Sequence, residues 1–171
     1  MIYLGHRGII SMQNRPFENI QEMNQILIQN YNAVVHKNDT VYILGDISHH
    51  LPMDRANELI SRLNGKKILI KGNHDKKDDL ELFEEICDFK TVSLKGLYFA
   101  LMYYPMLSWP KKNSGSIQLH GHIHAHEEYN LQNKADGIRR YDVGVDANNY
   151  YPVLVKQIIE FFENNEGKCK L

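Results

Sequence analysis

Three short polar segments carry the residue types of a metal-centred or acid–base site. Lys71-Gly72-Asn73-His74-Asp75 sets an amide, an imidazole and a carboxylate side by side after the apolar run Lys67–Ile70. Asp46 follows Leu44-Gly45 at the end of another apolar run, and His122 and His124 alternate after Leu119. Amide and carboxylate oxygens suit hard divalent cations, and neutral imidazole suits Mn, Fe or Zn. The spacing of His122 and His124 puts both imidazoles on one side of an extended segment. A carboxylate such as Asp46 can bridge two cations, and a glycine just before it permits a tight turn and close backbone approach. Each piece alone has an ordinary reading: Gly-Asn is a turn signal, an Asp after a strand is a cap, and alternating His is a polar strand face. Their conjunction at strand ends points to one shared site, because open α/β sheets gather their functional groups there.

The elements that must position these residues follow from periodicity. Met1–Leu4 reads as a very short apolar strand broken by Gly5-His6-Arg7-Gly8, and Ser11–Pro16 as a loop. Phe17 to about Val35 carries Ile20, Met23, Leu27 and Tyr31 near helical spacing. Thr40–Leu44 is β-branched and almost continuously apolar, as expected of a strand buried on both faces. Asp54–Leu63 is a second amphipathic helix stopped by Asn64-Gly65, and Lys67–Ile70 is the strand that leads into the central motif. Strand, helix, strand in that order predicts a parallel βαβ unit. Further on, Lys90–Leu94 and Leu97–Tyr103 read as a hairpin joined at Lys95-Gly96, Ser116–Leu119 and Tyr141–Val145 as strands, and Val153–Phe162 as a closing helix behind Pro152. The expected fold class is α/β: two packed mixed sheets flanked by helices, with a truncated first strand.

With 171 residues, a single domain spanning 1–171 is expected. A net charge of −1 announces no basic face for nucleic acid or anionic membrane. Cys87 and Cys169 do not make a disulfide framework, and no leader-like or membrane-spanning apolar run stands out, so a cytoplasmic location is expected. Oligomeric state is not encoded in any feature of the chain. His49 and His50, His120 and His126, Arg7, Arg139 and Arg140, and the aromatic group Tyr103-Tyr104 with Trp109 are further candidates for ligand contacts. Each reads better as loop, packing or solvated surface. Lys76-Lys77 beside Asp78-Asp79 is a mixed-charge solvated stretch.

The blocks Leu44-Gly45-Asp46, Gly72-Asn73-His74-Asp75 and Gly121-His122-Ile123-His124 resemble three signature blocks of the calcineurin-like metallophosphoesterase superfamily, in that family's order. Asn14-Arg15-Pro16-Phe17, Tyr104-Pro105-Met106-Leu107-Ser108-Trp109 and Asp142-Val143-Gly144-Val145-Asp146 extend the resemblance to small bacterial and phage phosphoesterases. The resemblance implies a four-layer α/β/β/α sandwich with a two-metal site at the strand ends. It assigns Asp46 as the bridging carboxylate, Asn73 and His122 as ligands of the second metal, His124 as a ligand of the first, and His74 as the general acid oriented by Asp75. Two cations so placed clamp phosphoryl oxygens and generate hydroxide near neutral pH.

Two departures fall on that chemistry. The family's Asp-x-His block, expected between the first strand and Gly5-His6, is absent, and no carboxylate precedes Glu18. At the ligand-histidine position before Tyr104-Pro105 stands Tyr103, an altered ligand position whose phenol is a poor ligand at neutral pH. Asp46, Asn73, His122 and His124 remain as an incomplete set, with His74 and Asp75 as residual general acid and orienter. The resulting expectation is a metallophosphoesterase-fold protein that has lost efficient phosphoester hydrolysis and is not an enzyme as it stands. It would hold at most one weakly bound divalent metal of the Mn, Fe, Zn or Mg class, where the family uses two. The partner class expected is a phosphate-bearing small molecule. Two rivals stay open: an active phosphoesterase with a reduced or rearranged site recruiting Tyr103, His6 or His49, and a non-catalytic interaction domain. The fold is expected to persist with reduced stability despite the shortened first strand.

Overall fold

The computed structural model describes residues 2–75 and 82–163. The charged stretch Lys76–Asp79, Met1 and Cys169 lie outside the described residues. The chain folds as α1 (Arg7–Met12), α2 (Ile20–Val34), β1 (Thr40–Leu44), α3 (Met53–Ser61), β2 (Lys66–Ile70), β3 (Glu85–Cys87), β4 (Phe89–Leu94), β5 (Leu97–Met102), β6 (Ile117–His120), α4 (Glu127–Ala135), β7 (Arg140–Asp142) and α5 (Val155–Glu163). A three-stranded sheet runs β1-β2-β3, and a four-stranded sheet runs β4-β5-β6-β7. The first is all parallel, with Thr40 opposite Lys66 and Leu44 opposite Ile70. In the second, β4 and β5 form an antiparallel hairpin, and β6 and β7 continue in parallel.

The layers follow from alternation along the strands. Ile43 and Leu69 point into a core shared with Met23, Leu27, Leu59 and Ile60 of the helices. Leu44, Ile68 and Ile70 point the other way, into a core with Phe99, Leu101, Ile117 and Leu119 of the second sheet. The apolar run of β1 is thus buried on two faces at its C-terminal end, as its composition predicts. α2 begins at Ile20 rather than at Phe17, because the side chain of Asn19 accepts a hydrogen bond from Glu22 N and caps the helix there.

Residues 2–4 of the expected Met1–Leu4 strand do not form one. Only an isolated parallel bridge, Leu4 to Ser48, remains, with Leu4 N donating to Ile47 O and His49 N donating to Leu4 O. Three elements were not foreseen: α1, β3 and α4. α1 is a six-residue helix whose start is capped by the His6 side chain. α4 packs on β7 and covers the outer side of the second sheet, where Tyr129 meets the His120 ring edge-on at 5.5 Å. The strand expected over Tyr141–Val145 is shorter and turns into a 3-10 segment at Val145–Ala147.

Candidate functional site

The ends of β1, β2, β5 and β6 converge on Asp46, which is fully buried. Glycines make the approach possible. Gly45 has φ +70°, and a Cβ there would run into the Tyr103 ring; a Cβ on Gly72 would strike the Asp46 carboxylate. Asp46, His122 and His124 themselves take left-handed φ values of 47°, 72° and 49°, a backbone cost that packed surroundings must hold in place.

Asp75 ties the two loops together. Its carboxylate accepts from Gly72 N at 2.8 Å, Asp46 N at 2.7 Å and Ile47 N at 3.1 Å. Expected to orient the His74 ring, it is instead committed to backbone amides, because the turn after β2 buries it over the start of the Asp46 loop. Burial pushes its pKa up, against the lowering effect of those amide bonds. His74 contributes its backbone N–H to Asp46 Oδ1 at 2.9 Å, and its exposed ring lies edge-on to His49 at 4.3 Å. Asn73 is exposed beside it.

The other carboxylate oxygen of Asp46 faces two phenols. Tyr3 Oη donates to Oδ2 at 2.5 Å, and Tyr103 Oη donates to the same oxygen. Tyr103 is 1 % exposed and Tyr3 4 %. Both phenols are pushed far up, first by burial and then by the Asp46 hydrogen bond, so both are neutral hydroxyls. Tyr3 stands two residues before Gly5-His6 and adopts φ 58°. Sequence reasoning treated the Asp-x-His block as missing and overlooked Tyr3.

The histidines are held in turn by these groups. His122 Nδ1 lies 3.0 Å from Tyr103 Oη. His124 Nδ1 lies 3.1 Å from Asp146 Oδ2, and its ring rests 4.6 Å from that of Tyr3. Asp146 also takes two 2.8 Å bonds from Arg15 Nε and Nη2, and both side chains are within 1 % of full burial. Burial alone would raise the Asp146 carboxyl, but the bonds from His124 and Arg15 hold it down at about 2. Arg15 and Asp146 stand in two of the segments that carry the family resemblance, and their pairing across 131 residues has no local signature. Beside the site, His49 stacks on His6 at 4.0 Å and meets His50 edge-on at 4.0 Å, so His49 is buried packing rather than surface loop. Arg140 is spent on Met106 O and Asn133, and Arg139 lies over Phe162, away from Asp46. Trp109 is buried and donates to Ser116 Oγ rather than stacking on Tyr103.

These residues do not fit a pair of divalent cations. Both oxygens of the Asp46 carboxylate already accept N–H or O–H protons. Among the described residues, no group of three or more His, Cys, Asp or Glu side chains is arranged to hold a metal ion.

The same architecture and order of motifs recur in known proteins. The sequence profile of the calcineurin-like phosphoesterases matches residues 6–163. The chain belongs to that family, whose members use divalent metals. It is 37 % identical over 167 residues to an uncharacterised protein of Methanocaldococcus jannaschii, covering 96 % of this chain and 89 % of that one. It is 26 % identical over 178 residues to the Gene 66 protein of Mycobacterium phage L5, covering 85 % of this chain and 84 % of that one. A crystal structure of a protein of unknown function from Aquifex aeolicus superposes with a TM-score of 0.74 at 26 % identity, covering 93 % and 94 % of the two chains. No helix among the described residues is long and apolar enough to cross a membrane.

Proposed function

We propose that this chain is a metallophosphoesterase-fold protein whose phosphoester hydrolysis is severely impaired and whose cleft keeps affinity for a phosphate-bearing small molecule. The observation that carries this reading is the seating of two phenol hydroxyls, Tyr3 and Tyr103, on one oxygen of Asp46. A cation bound at Asp46 has to displace both, so at most one divalent metal is expected there, weakly, with Asn73 and His122 as its other ligands. His74 remains available as a general acid, but without paired cations there is no activated hydroxide for it to assist. Loss of a single electrostatic stabiliser costs about 10²–10³ in rate, and loss of a metal costs at least that.

The experiment compares hydrolysis of bis(p-nitrophenyl) phosphate and p-nitrophenyl phosphate, with added Mn²⁺, by three chains. These are the protein as it stands, Tyr103→His, and Tyr103→His with Asp-x-His inserted after Leu4. Turnover by the restored chain is expected to exceed that of the unmodified chain by ~10²-fold or more. Equal turnover would overturn the reading. A second reading, a phosphoesterase running on a rearranged site, is favoured by one feature only: the His6, His49, His50 and His74 rings form a continuous group beside Tyr3. It requires turnover by the unmodified chain that is lost in His49→Ala.

A further inference from the structure

Of the three rings in the group Tyr103, Tyr104 and Trp109, two are spent in the interior. Tyr103 and Trp109 are buried, whereas Tyr104 is 42 % exposed. The Tyr104 ring nevertheless reaches the site. It lies 4.8 Å from the Tyr103 ring at 73° and 4.7 Å from the His122 ring at 71°. Tyr103 donates its hydroxyl to Asp46, so Tyr104 stands one ring away from that carboxylate. Two steeply inclined neighbours hold the plane of the ring in place.

A single exposed tyrosine is ordinary on a protein surface. Tyr104 differs in how its backbone is held. Gln118 is wholly buried and commits both ends of its amide to this segment: Nε2 donates to Tyr104 O at 3.2 Å, and Oε1 accepts from Met106 N at 3.3 Å. Arg140 Nη1 donates to Met106 O at 3.0 Å, and Gly121 N donates to Tyr103 O at 3.0 Å. Residues 103–106 are thus pinned from beneath by the second sheet while the Tyr104 ring stays open to solvent. An aromatic ring ordered in advance beside a polar site stacks a ligand at little further entropic cost.

We propose that Tyr104 selects, among phosphate-bearing molecules, those whose phosphate is esterified to a flat aromatic group. That group stacks on the Tyr104 ring while its phosphate sits against His122. The inference rests on the phosphate-binding reading above and adds the class of the substituent. In an aryl ester one oxygen joins phosphorus to the ring, so a phosphate beside His122 brings its ring to Tyr104. A saturated ring of similar size fills the same space but offers no π face.

The test measures dissociation constants of inorganic phosphate, phenyl phosphate and cyclohexyl phosphate for the full chain by phosphorus NMR titration, which also reports whether each ester stays intact. It is repeated for Tyr104→Leu and Tyr104→Phe. Phenyl phosphate is expected to bind about threefold to tenfold more tightly than cyclohexyl phosphate. Tyr104→Leu should abolish that preference and Tyr104→Phe should keep it, while inorganic phosphate binds all three chains alike and displaces phenyl phosphate. Equal binding of the two esters by the unmodified chain, or a preference that survives in Tyr104→Leu, would overturn the proposal and leave the phosphate-binding reading standing. The ester comparison on the unmodified chain needs no variant, so it keeps its force if Tyr104→Leu misfolds. Failure of inorganic phosphate to bind the unmodified chain or to displace phenyl phosphate would overturn the phosphate-binding reading, and this proposal with it.

Discussion

The two sheets deliver their residues to the site in different ways. The four-stranded sheet runs through an unbroken set of pairings, and the ends of β5 and β6 lead directly to Tyr103 and to Gly121-His122. The three-stranded sheet brings Asp46 and Asn73–Asp75 from β1 and β2, but the ladder beyond β1 lasts only from Tyr3 to Leu4. Yet the backbone of that stub still meets the Asp46 loop and still presents a ring to its carboxylate. Long and short pairings alike can therefore deliver a side chain to one buried carboxylate. Position is set by backbone pairing and glycine clearance, whereas chemistry is set by a single side chain at each place.

The largest expected effect comes from cutting the buried ion pair between Arg15 and Asp146. Arg15 follows α1, Asp146 follows β7, and both are buried. Arg15→Met leaves a carboxylate in the interior with only His124 for company, and removing one partner of a buried pair costs about 3–5 kcal/mol. Arg15→Met with Asp146→Leu is expected to recover part of that loss, because it removes the orphaned charge. Urea unfolding of the two variants checks this. A single-variant loss below about 1 kcal/mol would place the pair among ordinary surface bridges.

A smaller effect separates the well-packed part of the core from an apolar cavity of about 430 Å³ beside β1. Ile117 lies wholly buried in β6, away from the cavity, so Ile117→Ala should cost about 2–5 kcal/mol. Val92 on β4 faces the cavity, and Val92→Leu should gain about 0.5–2 kcal/mol by filling it. If both changes destabilise equally, the space beside β1 is closed in solution and the contrast between the sheets fails.

How much of this was legible depended on whether the signal was local. Helices α2 and α3, the strands β1, β2, β4, β5 and β6, and the Lys95-Gly96 turn announce themselves through periodicity and positive-φ residues within a few positions. α4 escaped because its inward groups are Asn130 and Asn133, polar residues that bond to Asp142 O and Arg140 rather than forming an apolar stripe. β3 escaped because only three residues pair. Asp46, the glycines and the alternating histidines were legible as a set because each follows a strand end. Tyr3 and the Arg15–Asp146 pair were not, since their meaning arises only when segments 43 and 131 residues apart are brought together.

The smallest effect is a pH dependence that distinguishes two buried imidazoles, one beside each sheet. Burial lowers His120 to about 4, helped by Arg140 and His122 and opposed by a 2.8 Å contact with Gly121 O. Burial also lowers His49 to about 4, with further lowering from His6, His50 and His74. For each, the unfolded chain takes up a proton near pH 6.5 while the folded chain does not until about pH 4. Stability is therefore fully present above pH 6.5 and declines as pH falls towards 4, by about 1 kcal/mol per group between pH 7.5 and 5.5. His120 should dominate, because it is fully buried, whereas His49 is 9 % exposed within a group of neighbouring rings that can adjust; each has one buried ring nitrogen without a partner among the described residues. His120→Gln should flatten the acid limb of the stability curve more than His49→Gln, as measured by thermal melts from pH 7.5 to 5.0. The reverse order would show that the imidazole group beside Tyr3 is the more rigid of the two.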